Sequence, residues 1–149
     1  MIKETECQKL VVKAVEEVGG AALMLNNRYL VGVADLMVKL PDAPMMILEA
    51  KRTVVTPKYW DESSHKPFSL AVTKLQNDFL KEWDYAGVRS GIASFVIKSG
   101  SDVSGLHMTL YTLQQDYESY YGVVADHLEL GGKHSRFESI RNLLREFVA

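Results

Sequence analysis

The chain has 149 residues, 47% hydrophobic and 24% charged, with 17 basic against 19 acidic side chains and a formal net charge of −2. That length and apolar fraction predict one domain over residues 1–149 with its own core. The charge balance excludes a strongly basic nucleic-acid coat. A single cysteine, Cys7, excludes an internal disulfide and a cysteine-built zinc site, and no apolar run approaches the roughly 18 residues of a membrane span. The acidic start, Met1–Glu6, lacks the apolar core of a signal peptide, so the expectation is a cytoplasmic protein with no membrane partner.

The first predicted element is a helix from about Thr5 to Val18, with Leu10, Val11, Ala14, Val15 and Val18 at helical spacing. Thr5-Glu6-Cys7-Gln8 has the form of a capping box, and Gly19-Gly20 supplies the stop. Ala21–Leu25 reads as a strand, Asn26-Asn27 as a turn and Arg28–Val31 as a returning arm. Gly32–Leu40 reads as a strand that turns at Pro41–Pro44 into a second, Met45–Lys51, forming a hairpin. Arg52–Phe68, with two prolines, Trp60 and many polar residues, is expected to be a long loop. Ser69–Ala86 then reads as a helix ended by Gly87, with Val72, Leu75, Phe79, Leu80 and Trp83 as its apolar stripe. Ile92–Lys98 has the near-continuous apolar pattern of a buried strand, and His107–Leu113 reads as another. Ser135-Arg136-Phe137-Glu138 has capping-box form and predicts a last helix with Phe137, Ile140, Leu143, Leu144 and Phe147 on one side. The order predicts a mixed α/β fold.

Three ionisable residues stand where apolar strands would not want them. Asp35 interrupts Val33-Ala34-Asp35-Leu36-Met37-Val38, and Glu49 and Lys51 end the run begun at Met45, on one face by their spacing of two. A charge there is paired, metal-bound or turned to solvent. Two carboxylates on neighbouring strands can hold a hard divalent cation, and a lysine beside them can orient a water or offset charge on a reacting phosphate. Gln76 falls inside the apolar stripe of its helix, where an amide needs partners: either the backbone at the stripe's edge, or the Glu49–Lys51 strand. Cys7 lies on the apolar side of the first helix and reads as core rather than nucleophile, and His65, His107, His127 and His134 show no metal-ligand spacing.

Gly32-Val33-Ala34-Asp35 followed by Ile47-Leu48-Glu49-Ala50-Lys51 resembles the active-site signature of the PD-(D/E)XK nuclease superfamily. The closer resemblance is to its VRR-NUC branch, which includes small phage-encoded, Holliday-junction-resolvase-like nucleases. There, a helix bearing a glutamate precedes a Gly-Val-Pro-Asp strand, a Glu-x-Lys strand follows, and then a helix bearing a glutamine. The four parts occur here in order over about Lys3 to Lys98, with Ala34 in place of the proline. The resemblance implies a restriction-endonuclease-like αβββαβ core, a mixed central sheet flanked by helices, with residues 107–149 adding a strand and a helix. It implies a metal-dependent DNA endonuclease selective for branched or junction DNA, using magnesium or manganese. Asp35 and Glu49 would bind the metal with the Ala50 carbonyl, and Lys51 would serve the attacking water or the transition state. Gln76 and a first-helix glutamate would support them. Glu4 fits that last position best, with Glu6 the alternative; both also suit a helix N-terminus without further role.

Arg52, Lys58, Lys66 and Lys74 are candidate DNA contacts, in a locally basic stretch that reads equally as a solvated face. Tyr59, Trp60 and His65 either join them or, for the two aromatics, pack over the core edge. Tyr117, Tyr120 and Tyr121 are expected to pack, or to form a subunit contact. By the resemblance the protein would act as a homodimer, in the host cytoplasm if phage-encoded. The alternative is a nuclease-like frame kept as a non-catalytic DNA-binding or assembly protein, and a second is a binding module whose acids are merely solvated.

Overall fold

A computed structural model describes residues 3–25, 32–63, 72–100, 106–113, 120–129 and 133–149, with backbone alone at 61–63, 113, 120–129 and 133–135. The elements are α1 (Glu4–Glu16), β1 (Ala21–Met24), β2 (Leu36–Lys39), β3 (Met46–Val55), α2 (Pro57–Ser63), α3 (Lys74–Tyr85), β4 (Arg89–Lys98), β5 (Leu106–Leu113), β6 (Tyr120–Glu129) and α4 (Lys133–Val148). This is an α/β fold on a six-stranded mixed sheet whose spatial order follows the chain, β1 to β6. Each neighbouring pair is antiparallel except β3 and β4, which run parallel because α2 and α3 carry the chain back between them.

Alternation along β3 divides its side chains between two layers. Met46, Leu48 and Ala50 join the larger core with Cys7, Leu10, Val11, Ala14 and Val15 of α1 and Phe137, Ile140, Leu143, Leu144 and Phe147 of α4. Ile47 faces the other side, with Leu80, Ile92 and Tyr111 and the flanking Phe79 and Trp83. Val55, Trp60 and Val96 form a third, smaller cluster under α2. The odd-numbered positions of β3 that carry Glu49 and Lys51 therefore look toward the α2 and α3 side.

Helix α1 begins at Glu4, not at Thr5: Lys3 is its N-cap without a side-chain bond, and the Cys7 N–H reaches the Lys3 carbonyl at 3.0 Å. Thr5 and Gln8 therefore form no capping box; Glu4 and Glu6 supply negative charge at the positive end of the helix instead. The stop is as expected. Gly19, at φ +83°, and Gly20 return N–H bonds to Glu16 and Val15, a closure that needs a residue at ease with positive φ. Helix α3 ends with the same two bonds, from Gly87 to Asp84 and Val88 to Trp83.

Several boundaries differ from those expected. Residues 33–35 are not strand; β2 starts at Leu36. Arg52–Val55 is not loop but the second half of β3, paired in parallel with Phe95–Lys98, and Pro57 then opens α2 at the helix position that tolerates a missing N–H. Helix α3 starts at Lys74 rather than Ser69, because Thr73 caps it. Leu75 is more than half exposed, so it leaves the apolar stripe. Ser135 lies inside α4, which begins at Lys133, so its backbone is helical and it does not stand at the N-cap position. Strand β6 was not anticipated; Tyr120 and Tyr121 are its first residues. The Arg28–Val31 arm, His65, Lys66 and Tyr117 lie outside the described residues. Among the described residues no helix is long and apolar enough to cross a membrane.

Candidate active site

The hairpin register brings the two acids together. The last β2–β3 pair is Leu36 with Leu48, so one step further sets Asp35 opposite Glu49. At that step β2 has not yet begun, and Asp35 is held from both sides. Its backbone carbonyl accepts from the Leu25 N–H at 2.7 Å, and its Oδ2 accepts from the Ala50 N–H at 2.9 Å. The carboxylate thus replaces the carbonyl that a longer β2 would have offered to β3. In a strand, one residue's N–H and C=O point to the same lateral edge, so the Ala50 carbonyl is directed to the Asp35 side as well.

Gly32 explains how the chain reaches this position. It sits at φ +88°, and a Cβ there would lie 2.6 Å from Leu75 Cβ and 2.9 Å from the Leu75 carbonyl carbon. The segment entering Asp35 therefore passes against the first turn of α3, closer than any side chain allows.

Glu49 is 3% exposed. Its Oε1 accepts from Gln76 Nε2 at 2.9 Å and lies 3.8 Å from Lys51 Nζ. Lys51 Nζ donates to Gln76 Oε1 at 3.2 Å, so the one amide ties acid and lysine together. The same Oε1 also accepts from the Thr73 N–H at 3.0 Å, while Thr73 Oγ1 accepts from the Gln76 N–H at 3.2 Å. Gln76 is thus the third helical residue of a capping box and a bridge to β3 at once. The capping box was legible as Thr73-x-x-Gln76, but the apolar pattern from Ser69 onward concealed it.

Oε2 of Glu49 is buried with no hydrogen-bond partner. Burial pushes the Glu49 carboxyl up to about 8, with the Asp35 charge and a hydrogen bond shared with the Asp35 carboxyl adding to the rise and Lys51 opposing it. Glu4 also stands above the usual carboxylate range, from burial first and then from Asp35, with Lys51, Arg52 and a hydrogen bond from Gln8 pulling back. Glu4 and not the exposed Glu6 is therefore the first-helix acid that shares the field of Asp35 and Glu49. Burial raises the Cys7 thiol to about 12, which makes it core and not nucleophile.

Among the described residues no three acid, histidine or cysteine side chains are arranged to hold a metal by themselves. Two carboxylates, a carbonyl and water are nonetheless a sufficient set for magnesium, which keeps much of its hydration shell. The buried Glu49 Oε2 fits such a group: no hydrogen-bond partner satisfies it, and the proton that two carboxyls side by side, Glu49 and Asp35, would share is one a cation can replace.

Of the candidate DNA contacts, Lys66 lies outside the described residues. Arg52 alternates away from Lys51 and acts on Glu4 and Cys7. Lys74 is 87% exposed and paired with Asp78 at 2.8 Å on its own helix. Lys58 is exposed on α2. Trp60 is buried and its ring lies 4.0 Å from that of His107, so of the two expected roles it packs. Sequence reasoning missed Gln8, a 2% exposed amide one turn after Glu4; a polar residue beside the apolar stripe was the available signal. No family model matches the chain, and no curated protein matches it.

Proposed function

We propose that the chain is a divalent-metal-dependent endodeoxyribonuclease of the PD-(D/E)XK kind, nearest the VRR-NUC branch, hydrolysing phosphodiester bonds in branched or junction DNA. The observation that carries this reading is Glu49: a buried carboxylate with one oxygen unpartnered, opposite Asp35 and tied to Lys51 through Gln76. The order of one helix, three strands, helix and parallel strand supports a restriction-endonuclease-like core, with α2, β5, β6 and α4 as additions.

Asp35, Glu49 and the Ala50 carbonyl would hold magnesium or manganese, with Glu4 behind them. The cation, when bound, supplies Lewis-acid stabilisation of charge at the scissile phosphate. Lys51 would bring its amine to the attacking water or to a phosphoryl oxygen, where charge builds as the leaving oxygen departs. Gln76 holds Lys51 and Glu49 at a fixed separation and so limits the rotamers each can adopt. A homodimer acting in the cytoplasm belongs to this reading, since one such centre per chain serves one strand at a time.

The test is cleavage of labelled four-way junction, flap, duplex and single-stranded DNA with magnesium, manganese or EDTA, by wild type and Lys51→Ala. Metal-dependent cutting by wild type, reduced at least about 100-fold in Lys51→Ala, is expected. Folded wild type that binds a junction but leaves it intact with either metal would overturn catalysis and leave a non-catalytic DNA-binding or assembly protein.

A further inference from the structure

The two faces of the sheet are filled differently. Toward α1 and α4 the buried apolar side chains form one cluster. Toward α2 and α3 they form two: Ile47, Leu80, Ile92 and Tyr111 under α3, and Val55, Trp60 and Val96 under α2. Register and alternation show what lies between them. Glu49, Ile92 and Tyr111 stand side by side across β3, β4 and β5. The next row on the same face is Lys51, Ser94 and Thr109. The row after that is Thr53, Val96 and His107, and the Trp60 ring lies 4.0 Å from that of His107.

A polar gap therefore separates the two clusters, with Lys51, Ser94, Thr109 and Thr53 in steps of roughly 5–7 Å. Ser94 is buried, while Lys51, Thr53 and Thr109 are partly exposed around it. On β5 the flanking His107 and Tyr111 are each 4% exposed, so Thr109 is an opening between two closed positions. Alanine or valine in place of Ser94 would join Ile92 to Val96 and make one core of two, so packing alone does not account for a hydroxyl there. The four side chains supply an amine and three hydroxyls, all able to donate, and no carboxylate. Thr109 shares a hydrogen bond with Tyr111; with the phenol as donor, the threonine proton is left for a ligand. Such a set, walled by apolar side chains, suits an anion with several oxygens.

We propose that Ser94 and Thr109 form a phosphate-binding seat for the DNA strand being cut, taking a phosphate that neighbours the one at Glu49 and Lys51. This rests on the DNA-cleaving reading of the site. The seat begins at Lys51 and leads away from the two acids across β4 to β5, so a backbone laid along it brings one phosphate to each. A contact of this kind fixes the register of the strand and carries no sequence preference.

The experiment is binding of fluorescein-labelled four-way junction and duplex DNA in EDTA, read by anisotropy, beside the melting temperature of each protein. The proteins are wild type, Ser94→Ala, Thr109→Val, Thr109→Ser and Thr112→Val. Thr112 is on the same strand but the opposite face, next to Gly91 of β4, and serves as control. Ser94→Ala and Thr109→Val are each expected to bind about tenfold more weakly than wild type, the loss of one hydrogen bond to a charged group. Thr109→Ser, which keeps the hydroxyl, and Thr112→Val are expected to bind as wild type does. Unchanged binding in either Ser94→Ala or Thr109→Val overturns the proposal, and Ser94→Ala decides it where Thr109→Val fails to fold. Equal losses in Thr109→Ser and Thr109→Val, or a loss in Thr112→Val, also overturn it by tracing the effect to strand packing. Folded wild type that binds neither DNA overturns the DNA reading itself, a result distinguishable from variants that bind as tightly as wild type.

Discussion

A carboxylate at the centre of a buried strand is costly unless its surroundings offset the charge. At Glu49 the offset is partial: one oxygen has Gln76 and, at 3.8 Å, Lys51, while the other has no partner. Gln76 is the residue on which this arrangement depends, because one side chain serves Thr73, Glu49 and Lys51. Gln76→Ala should therefore lower unfolding stability by about 1–2 kcal/mol in urea titration, through the lost cap and the lost buried bond. It should also lower metal-dependent cleavage by about 10–100-fold. Gln76→Ala with cleavage unchanged would reduce Gln76 to a capping residue.

At the scale of elements, the site depends on a close crossing rather than on a long strand. Asp35 is delivered by a segment that passes against α3 at Gly32, and it takes over the hydrogen bonding that β2 does not reach. Gly32→Ala should destabilise the fold by about 1–3 kcal/mol and reduce cleavage with it, since both the positive φ and the contact oppose a Cβ. Leu75→Ala should not rescue it: the opposing atoms are Leu75 Cβ and its backbone, which alanine retains. Rescue in the double variant, measured by melting temperature, would show that the leucine side chain is the obstacle instead. The expected loop at Arg52–Phe68 fails on the same scale. Its first four residues, Arg52-Thr53-Val54-Val55, hold three β-branched side chains that suit a strand, but the prolines and polar residues that follow read as loop; ten residues of β4 lie alongside β3 and pair with it to Val55.

For the whole molecule, the raised Glu49 carboxyl links stability to pH. Its folded value near 8 exceeds the ordinary 4.5, so the native state binds the proton more tightly than the unfolded chain. Stability from this group is complete below the unfolded value and is lost as pH rises through the folded one, at no more than about 1.4 kcal/mol per pH unit. The metal-free protein should thus become less stable from about pH 5 to about pH 8 in urea titrations, and Glu49→Gln should flatten that decline. Magnesium should restore more stability at pH 8 than at pH 5, because the cation binds the ionised pair. A metal-free stability that is level or rising over that range would show that Glu49 is ionised in the fold.

Local pattern alone determined the helical stripe of α1, the Gly19-Gly20 and Gly87 stops, the β2–β3 hairpin and the buried run of β4, because burial periodicity and turn chemistry act over a few residues. It also singled out Asp35, Glu49, Lys51 and Gln76, since charged and amide groups in apolar strands and stripes violate that periodicity. Tertiary structure alone set Glu4 in the field of Asp35 and Glu49, turned Arg52 away from Lys51, gave Gln76 its three partners and left Gln8 buried on α1. Those outcomes depend on strand register and on how α1 and α3 meet the sheet. Groups far apart in the chain set both, and no short window of sequence contains them.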